Sequence, residues 1–80
     1  MRFFFAVVKA NGLTIEDDDG VECPTAVDAV GLGRSMARDL AAEGQQYIGG
    51  AVLVRDDKGR QVELVAIRQR DAIEFGEKDL

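Results

Sequence analysis

The fold of this chain is decided by one stretch near its start, Arg2-Phe3-Phe4-Phe5-Ala6-Val7-Val8. The stretch is aromatic and β-branched and contains no glycine or proline, which is typical of a β-strand. The Asn11-Gly12 pair that follows favours a tight turn between strands. We therefore expect residues 13–16 to return as a second strand, so that residues 2–16 form a β-hairpin.

An acidic turn and a helix are predicted after the hairpin. The run Glu16-Asp17-Asp18-Asp19-Gly20-Val21-Glu22 indicates a turn at 17–20, because aspartate side chains bond to nearby backbone and glycine adopts positive φ readily. Thr25 is a favourable N-cap, and Asp28 stands three residues later, where a capping acid belongs. Apolar residues then recur every three or four positions up to Gly44, which predicts a helix over residues 25–43.

Two glycines, Gly31 and Gly33, lie inside this predicted helix. Each costs about 1 kcal/mol relative to alanine in a helix. Positions two apart lie on different sides of a helix, so one contact cannot explain both. Either the helix tolerates this weakness, or its backbone closely approaches a sheet or a partner.

The second half of the chain predicts another hairpin. Apolar strands at 51–55 and 61–67 flank the turn Asp56-Asp57-Lys58-Gly59, which has glycine where positive φ is favoured. In the connector before them, Tyr47 and Ile48 are expected to cover an edge of the core. The order of elements is ββαββ. The predicted fold class is therefore α+β, a small antiparallel sheet of about four strands with one helix packed on one face.

The organisation of the chain is predicted to be one small domain over residues 1–80, since 80 residues suffice for one core only. After the last strand, residues 71–75 are consistent with a short strand or with one turn of helix. Residues 76–80 are expected to form a frayed tail.

Both faces of the predicted sheet are largely apolar, because side chains alternate along each strand and the strands contain few polar residues. One helix covers only one face. Either the C-terminal segment folds across the other face, or the polar tips of Arg and Lys side chains shield it, or another chain covers it, most simply a second copy in a homodimer. The residues expected at that contact are Phe4, Ala6, Val8, Val52, Val54, Val65 and Ile67.

Few residues suited to catalysis are present. The chain has no histidine, and its single serine, Ser35, falls inside the predicted helix, which excludes Ser-His-Asp and Cys-His arrangements. No glycine-rich phosphate loop or dinucleotide motif occurs. We therefore predict a non-enzymatic protein without a cofactor. Cys23 is either a small buried residue or a thiol activated by the following helix N-terminus.

The net charge of −5 argues against binding to nucleic acid or to an anionic membrane. No apolar run approaches the ~18 residues that span a bilayer, and no signal-peptide pattern is present; a soluble, cytoplasmic protein is expected. Two alternatives to self-association use the acidic run at 16–22. It could bind a basic protein as an inhibitor would, or a hard cation through Asp17, Asp19 and Glu22, although its spacing does not match a calcium loop.

The order of these motifs resembles a family of short, uncharacterised bacterial proteins, a domain of unknown function. Its members combine an Arg-Phe-Phe-Phe-like strand, a glycine turn, an Asp-x-x-Gly-x-Glu-x-Pro-like segment, an alanine-rich helix and an Asp-x-x-Gly-Arg hairpin. The matching elements here are Arg2-Phe3-Phe4-Phe5, Asn11-Gly12, residues 17–24, the helix containing Ala26, Ala29, Ala37, Ala41 and Ala42, and Asp56-Asp57-Lys58-Gly59-Arg60. The resemblance implies a small α+β fold and no established activity.

The resemblance covers most of residues 1–67, and the chain departs from the family pattern beyond them. A short apolar-Pro-Phe ending is replaced here by Arg68-Gln69-Arg70 and the residues after it. A looser similarity is to the antitoxin half of HicAB-type pairs, which share a strand hairpin, an acidic turn and an alanine-bearing helix. That similarity implies a basic protein partner, although this chain lacks a separate DNA-binding segment.

Overall fold

The structure, a computed structural model, describes residues 1–69. Its elements are the strands β1 (Arg2–Val8), β2 (Thr14–Glu16), β3 (Val21–Glu22), β4 (Ala51–Arg55) and β5 (Gln61–Ala66), the helix α1 (Ala26–Glu43), and a 3-10 turn at Gln45–Tyr47. The expectations for residues 71–75 and 76–80 lie outside the described residues. The predicted α+β class, with one helix packed against an antiparallel sheet, is confirmed.

All strand pairs are antiparallel, in the order β2-β1-β4-β5, and β3 pairs with the start of β1 beside β2. The first hairpin and the second hairpin form where they were predicted, within one residue at each end. Within residues 1–69 the sheet has five strands, where about four were predicted. The additional strand arises because the chain continues beside β1 after the turn at 17–20. Val21 then lies opposite Phe3 and Glu22 opposite Arg2. Two residues are too few to show an alternating pattern, so the sequence carried no signal for β3.

The acidic turn before β3 is built by its own side chains. The Asp17 carboxylate oxygen Oδ1 accepts hydrogen bonds from the backbone N–H groups of Asp19, at 3.1 Å, and Gly20, at 3.2 Å. Gly20 has φ +78°, and the Arg2 guanidinium donates to the Asp19 carbonyl at 2.8 Å. The predicted turn is confirmed, and it forms because the aspartate side chain accepts hydrogen bonds from nearby backbone N–H groups.

The helix begins as the sequence predicts, with Thr25 as N-cap. The Thr25 hydroxyl oxygen accepts from the Asp28 N–H at 3.2 Å, and the helix ends before Gly44. Its buried line consists of small residues, Ala29, Gly33 and Ala37. Within the described part of the chain, no helix is long and apolar enough to cross a lipid bilayer.

Small residues on α1 let its backbone lie close to the sheet. A Cβ atom added at Gly33 would stand 2.9 Å from Cγ2 of Val54, a fully buried side chain on β4, whereas one added at Gly31 would have nothing within 4 Å. Each of the two interpretations therefore applies to one of the glycines. Gly33 is a point of close approach, and Gly31 is a tolerated weakness on the outer surface.

Alanine substitutions at these two positions should have opposite effects. We expect Gly31→Ala to raise the free energy of unfolding by about 0.5–1 kcal/mol through helix propensity. Gly33→Ala should lower it by up to about 2 kcal/mol, because overpacking costs about 1–3 kcal/mol and exceeds the propensity gain. Urea unfolding followed by circular dichroism measures both. Equal stabilisation by the two variants would contradict the close packing of α1 on β4.

The core lies between α1 and one face of the sheet. Its buried side chains are Phe3, Phe5, Cys23, Ala29, Ala37, Val52, Val54 and Ile67. Tyr47 and Ile48 pack against its edge, which confirms the prediction for the connector. Cys23 is a free, buried cysteine in this core. This agrees with its interpretation as a small buried residue.

Candidate functional site

The face of the sheet that α1 leaves uncovered is the candidate site, and we call it the open face. The strand registers place its side chains in rows, one of which runs Glu16, Ala6, Leu53, Leu64, and the next Thr14, Val8, Ala51, Ala66. Phe4 lies beside Arg55, and Arg2 beside Glu22, in the two rows towards the start of β1. The middle and the β5 side of this face are therefore apolar.

The seven residues predicted at a contact do not share this face. Phe4, Ala6 and Val8 lie on the open face. The other four, Val52, Val54, Val65 and Ile67, lie on the helix side: Val52 and Val54 are paired with Val7 and Phe5, and Val65 with Val52. Val54 is fully buried and Ile67 nearly so. The prediction that these seven residues share one surface is wrong for those four.

The physical reason is that alternation separates the two faces within one strand but does not say which faces of different strands combine. That is decided by the β1–β4 register, which pairs residues as far apart in the sequence as Phe4 and Arg55. No local sequence signal specifies it. On the open face, the structure has Ala51, Leu53, Leu64 and Ala66 in place of these four helix-side residues.

The apolar part of the open face is accessible to water. Leu64 is 52% exposed, and Phe4, Val8 and Leu53 are partly exposed. Ala6 is shielded because its methyl group stands between Glu16 and Leu53 in its row. An antiparallel sheet with one face in water usually places polar residues on that face, so this surface has the composition of a contact surface.

Two charged side chains, Glu16 and Arg55, cross the open face beside Phe4 and Ala6. Oε1 of Glu16 lies 3.8 Å from Nη1 of Arg55, and neither side chain makes a hydrogen bond to residues 1–69. At the rim, Glu22 is more firmly held, by the Met1 amine at 3.0 Å and by Arg2 at 3.3 Å. The hydrogen bond and the charge of that amine hold the pKa of Glu22 below its ordinary value.

A shallow depression of about 240 Å³ opens at the same end of the sheet. It is lined by Phe4, Glu16, Asp17, Arg55, Asp56, Asp57 and Gly59. The tertiary structure thus brings the acidic turn next to the β4–β5 turn. The Asp56 carboxylate is occupied there: it accepts from the N–H groups of Lys58 and Arg60, both at 2.9 Å, and the bond from Arg60 lowers the pKa of Asp56.

The three candidate cation ligands are not gathered around one point. Asp17 bonds to the backbone of its own turn, and Glu22 pairs with Met1 and Arg2. Within residues 1–69, no group of three Cys, Asp or Glu side chains lies close enough to hold one metal ion, and this includes any group containing Asp19.

Comparison with known proteins assigns the chain to a family. The domain of unknown function DUF6894 matches residues 2–68, which span every strand and the helix described above. No curated protein and no solved structure is similar enough to count as a match. The resemblance to an uncharacterised family is thus confirmed, whereas the similarity to HicAB-type antitoxins is not shown. Because the match extends over most of its length, the chain belongs to the DUF6894 family, a domain of unknown function.

Proposed function

We propose that this domain is a protein-binding module rather than an enzyme, and that its open face binds a second copy of the chain. The observation that supports the proposal is the apolar surface formed by Phe4, Val8, Leu53 and Leu64 on the side of the sheet away from α1. Removing such a surface from water is favourable. A second copy offers the same surface, so each apolar residue meets an apolar surface.

The size of the open face sets the expected strength of this dimer. Strands about 4.8 Å apart with about 3.3 Å per residue give the four-stranded face a flat area of about 400 Å². Accessible surface exceeds flat area, so two copies bury roughly 1,000 Å² in total, at the lower end for a specific interface. We therefore expect a weak dimer whose population depends on concentration in the micromolar range.

Leu64→Asp should abolish this dimer without unfolding the chain. Leu64 is largely exposed in one copy, so aspartate costs little there, but the dimer would bury an unpaired carboxylate against apolar side chains. Light scattering across low-micromolar concentrations should show the parent chain rising towards twice its 8.7 kDa mass. The variant should stay at the mass of one chain.

Val27→Asp is the matched control, because Val27 is 79% exposed on the helix, away from the open face. It should associate like the parent chain. A parent chain that is monomeric throughout, or a Leu64→Asp variant that still dimerises, would refute the proposal. Phe4 is a poorer test site because its ring packs at the Gly20 turn, where an added Cβ atom would stand 2.9 Å from Phe4 Cε2.

A second candidate is binding of a basic protein segment. The observation in its favour is the depression that joins Glu16, Asp17 and Asp57 beside Phe4, in a chain of net charge −5. Under this candidate the chain is monomeric and binds a lysine-rich peptide in a fluorescence anisotropy titration, with affinity that falls as salt rises. Binding that does not change with salt would exclude it.

A further inference from the structure

Burying the open face against a second copy creates an electrostatic requirement at Glu16 and Arg55. Their side chains are 58% and 39% exposed, and they meet through a single 3.8 Å contact. Water satisfies the rest of the carboxylate and guanidinium in one copy. Charges taken out of water need close pairing and hydrogen bonds, or their desolvation opposes association. Within residues 1–69, the single 3.8 Å contact between Glu16 and Arg55 does not supply such pairing.

We infer that Glu16 and Arg55 are the specificity residues of this interface, and that each pairs across it: Glu16 with the partner's Arg55, and Arg55 with the partner's Glu16. The inference rests on the self-association proposed above. In a twofold interface, whenever one residue contacts a second, the second contacts the first in return. Two opposite charges on one face therefore form two ion pairs between two copies.

The strand registers make this pairing compatible with apolar packing elsewhere. Glu16 and Arg55 lie two strands and one row apart, on strands spaced about 4.8 Å with rows about 6.8 Å apart. The twofold axis that brings Glu16 opposite the partner's Arg55 lies between the two sheets and parallel to them. In projection onto the open face, it passes between Ala6 and Leu53. On this grid, the same axis brings Leu64 opposite the partner's Val8.

The small residues near that axis favour the same arrangement. Ala6 and Ala51 lie on neighbouring strands and each presents only a methyl group. In this arrangement Leu53 would face the partner's Ala6. A bulky side chain therefore meets a small one, which allows two sheets to approach to about 10 Å. One geometry thus satisfies both charges and the exposed Leu64.

Charge reversal tests the inference. Glu16→Arg and Arg55→Glu should each raise the dimer dissociation constant at least about a hundredfold, because like charges would face each other twice across the interface. An equimolar mixture of the two variants should form a heterodimer, since each Arg–Arg or Glu–Glu contact becomes an Arg–Glu pair. Native mass spectrometry separates the heterodimer from both homodimers by mass, and light scattering gives the dissociation constants.

Controls and outcomes separate this inference from the proposed function. Glu43→Arg and Arg34→Glu change the same charges at exposed positions of α1 and should dimerise like the parent chain. Thermal melts should show all variants folded, because the intrachain pair is exposed and contributes little to stability. A monomeric parent chain would overturn the proposed function. A dimeric parent whose single variants dimerise equally well, or whose mixture forms no heterodimer, would overturn only the cross-interface pairing.

Discussion

Gly50→Ala is expected to lower the free energy of unfolding by about 3–4 kcal/mol, a large fraction of the stability of a small domain. A Cβ atom at position 50 would overlap the carbonyl oxygen of Val8 and stand 3.1 Å from Cα of Lys9. Both are backbone atoms, one at the last residue of β1 and one at the residue after it. No side-chain rotation therefore relieves the overlap. The Gly50 carbonyl also accepts from the Ile67 N–H at 2.9 Å, so moving Gly50 away would disturb the pairing towards β5.

Urea unfolding measured by circular dichroism is the assay, with Gly31→Ala as the matched control. The control makes the same chemical change where an added Cβ meets nothing within 4 Å. A Gly50→Ala variant as stable as the parent chain would show that β1 and the start of β4 are not this close. The effect is one of the two largest we expect, because backbone overlap cannot be relaxed locally.

Phe3→Ala should lower the free energy of unfolding by about 3–5 kcal/mol, as truncation of a large buried aromatic side chain does. Phe3 is completely buried and belongs to the core on the helix side of the sheet. Phe4→Ala is the matched comparison, because Phe4 is the next residue but lies on the open face, where it is partly exposed. Its loss should cost no more than about 2 kcal/mol.

The two phenylalanine variants also separate folding from association. Unfolding measured at a protein concentration at which light scattering gives the mass of one chain reports the packing of each ring. Association at higher concentration should weaken in Phe4→Ala, whose ring lies on the open face beside Arg55. Equal destabilisation by the two variants would contradict the assignment of Phe3 to the covered face and Phe4 to the open one.

Much of the fold follows from local chemistry and was predictable. The helix begins after Thr25 because its hydroxyl accepts from the Asp28 N–H, a contact within four residues. The turns at 17–20 and 56–60 form because Asp17 and Asp56 bond to backbone N–H groups two to four residues away. Each interaction is between neighbours in the chain, so the residue types at those positions suffice to specify it.

The candidate site was only partly predictable. The sequence correctly indicated an apolar sheet face besides the one under the helix, and it placed Phe4 and Val8 on it. It assigned Val52 and Val54 to that face, although they lie under α1. The error arose between strands, because hydrophobic residues occur at both parities of β1 and β4, and either combination of faces would have matched the pattern.

The sequence by itself therefore determined the helix with its cap, the two hairpins, the acidic turns and the shortage of catalytic groups. The tertiary structure alone decided the β1–β4 register, the short strand β3, the close approach at Gly33 and the meeting of Glu16 with Arg55. The physical reason is the range of the interactions involved. Caps and turns are hydrogen bonds between near neighbours, whereas register and face are chosen by packing α1 on one side of the whole sheet.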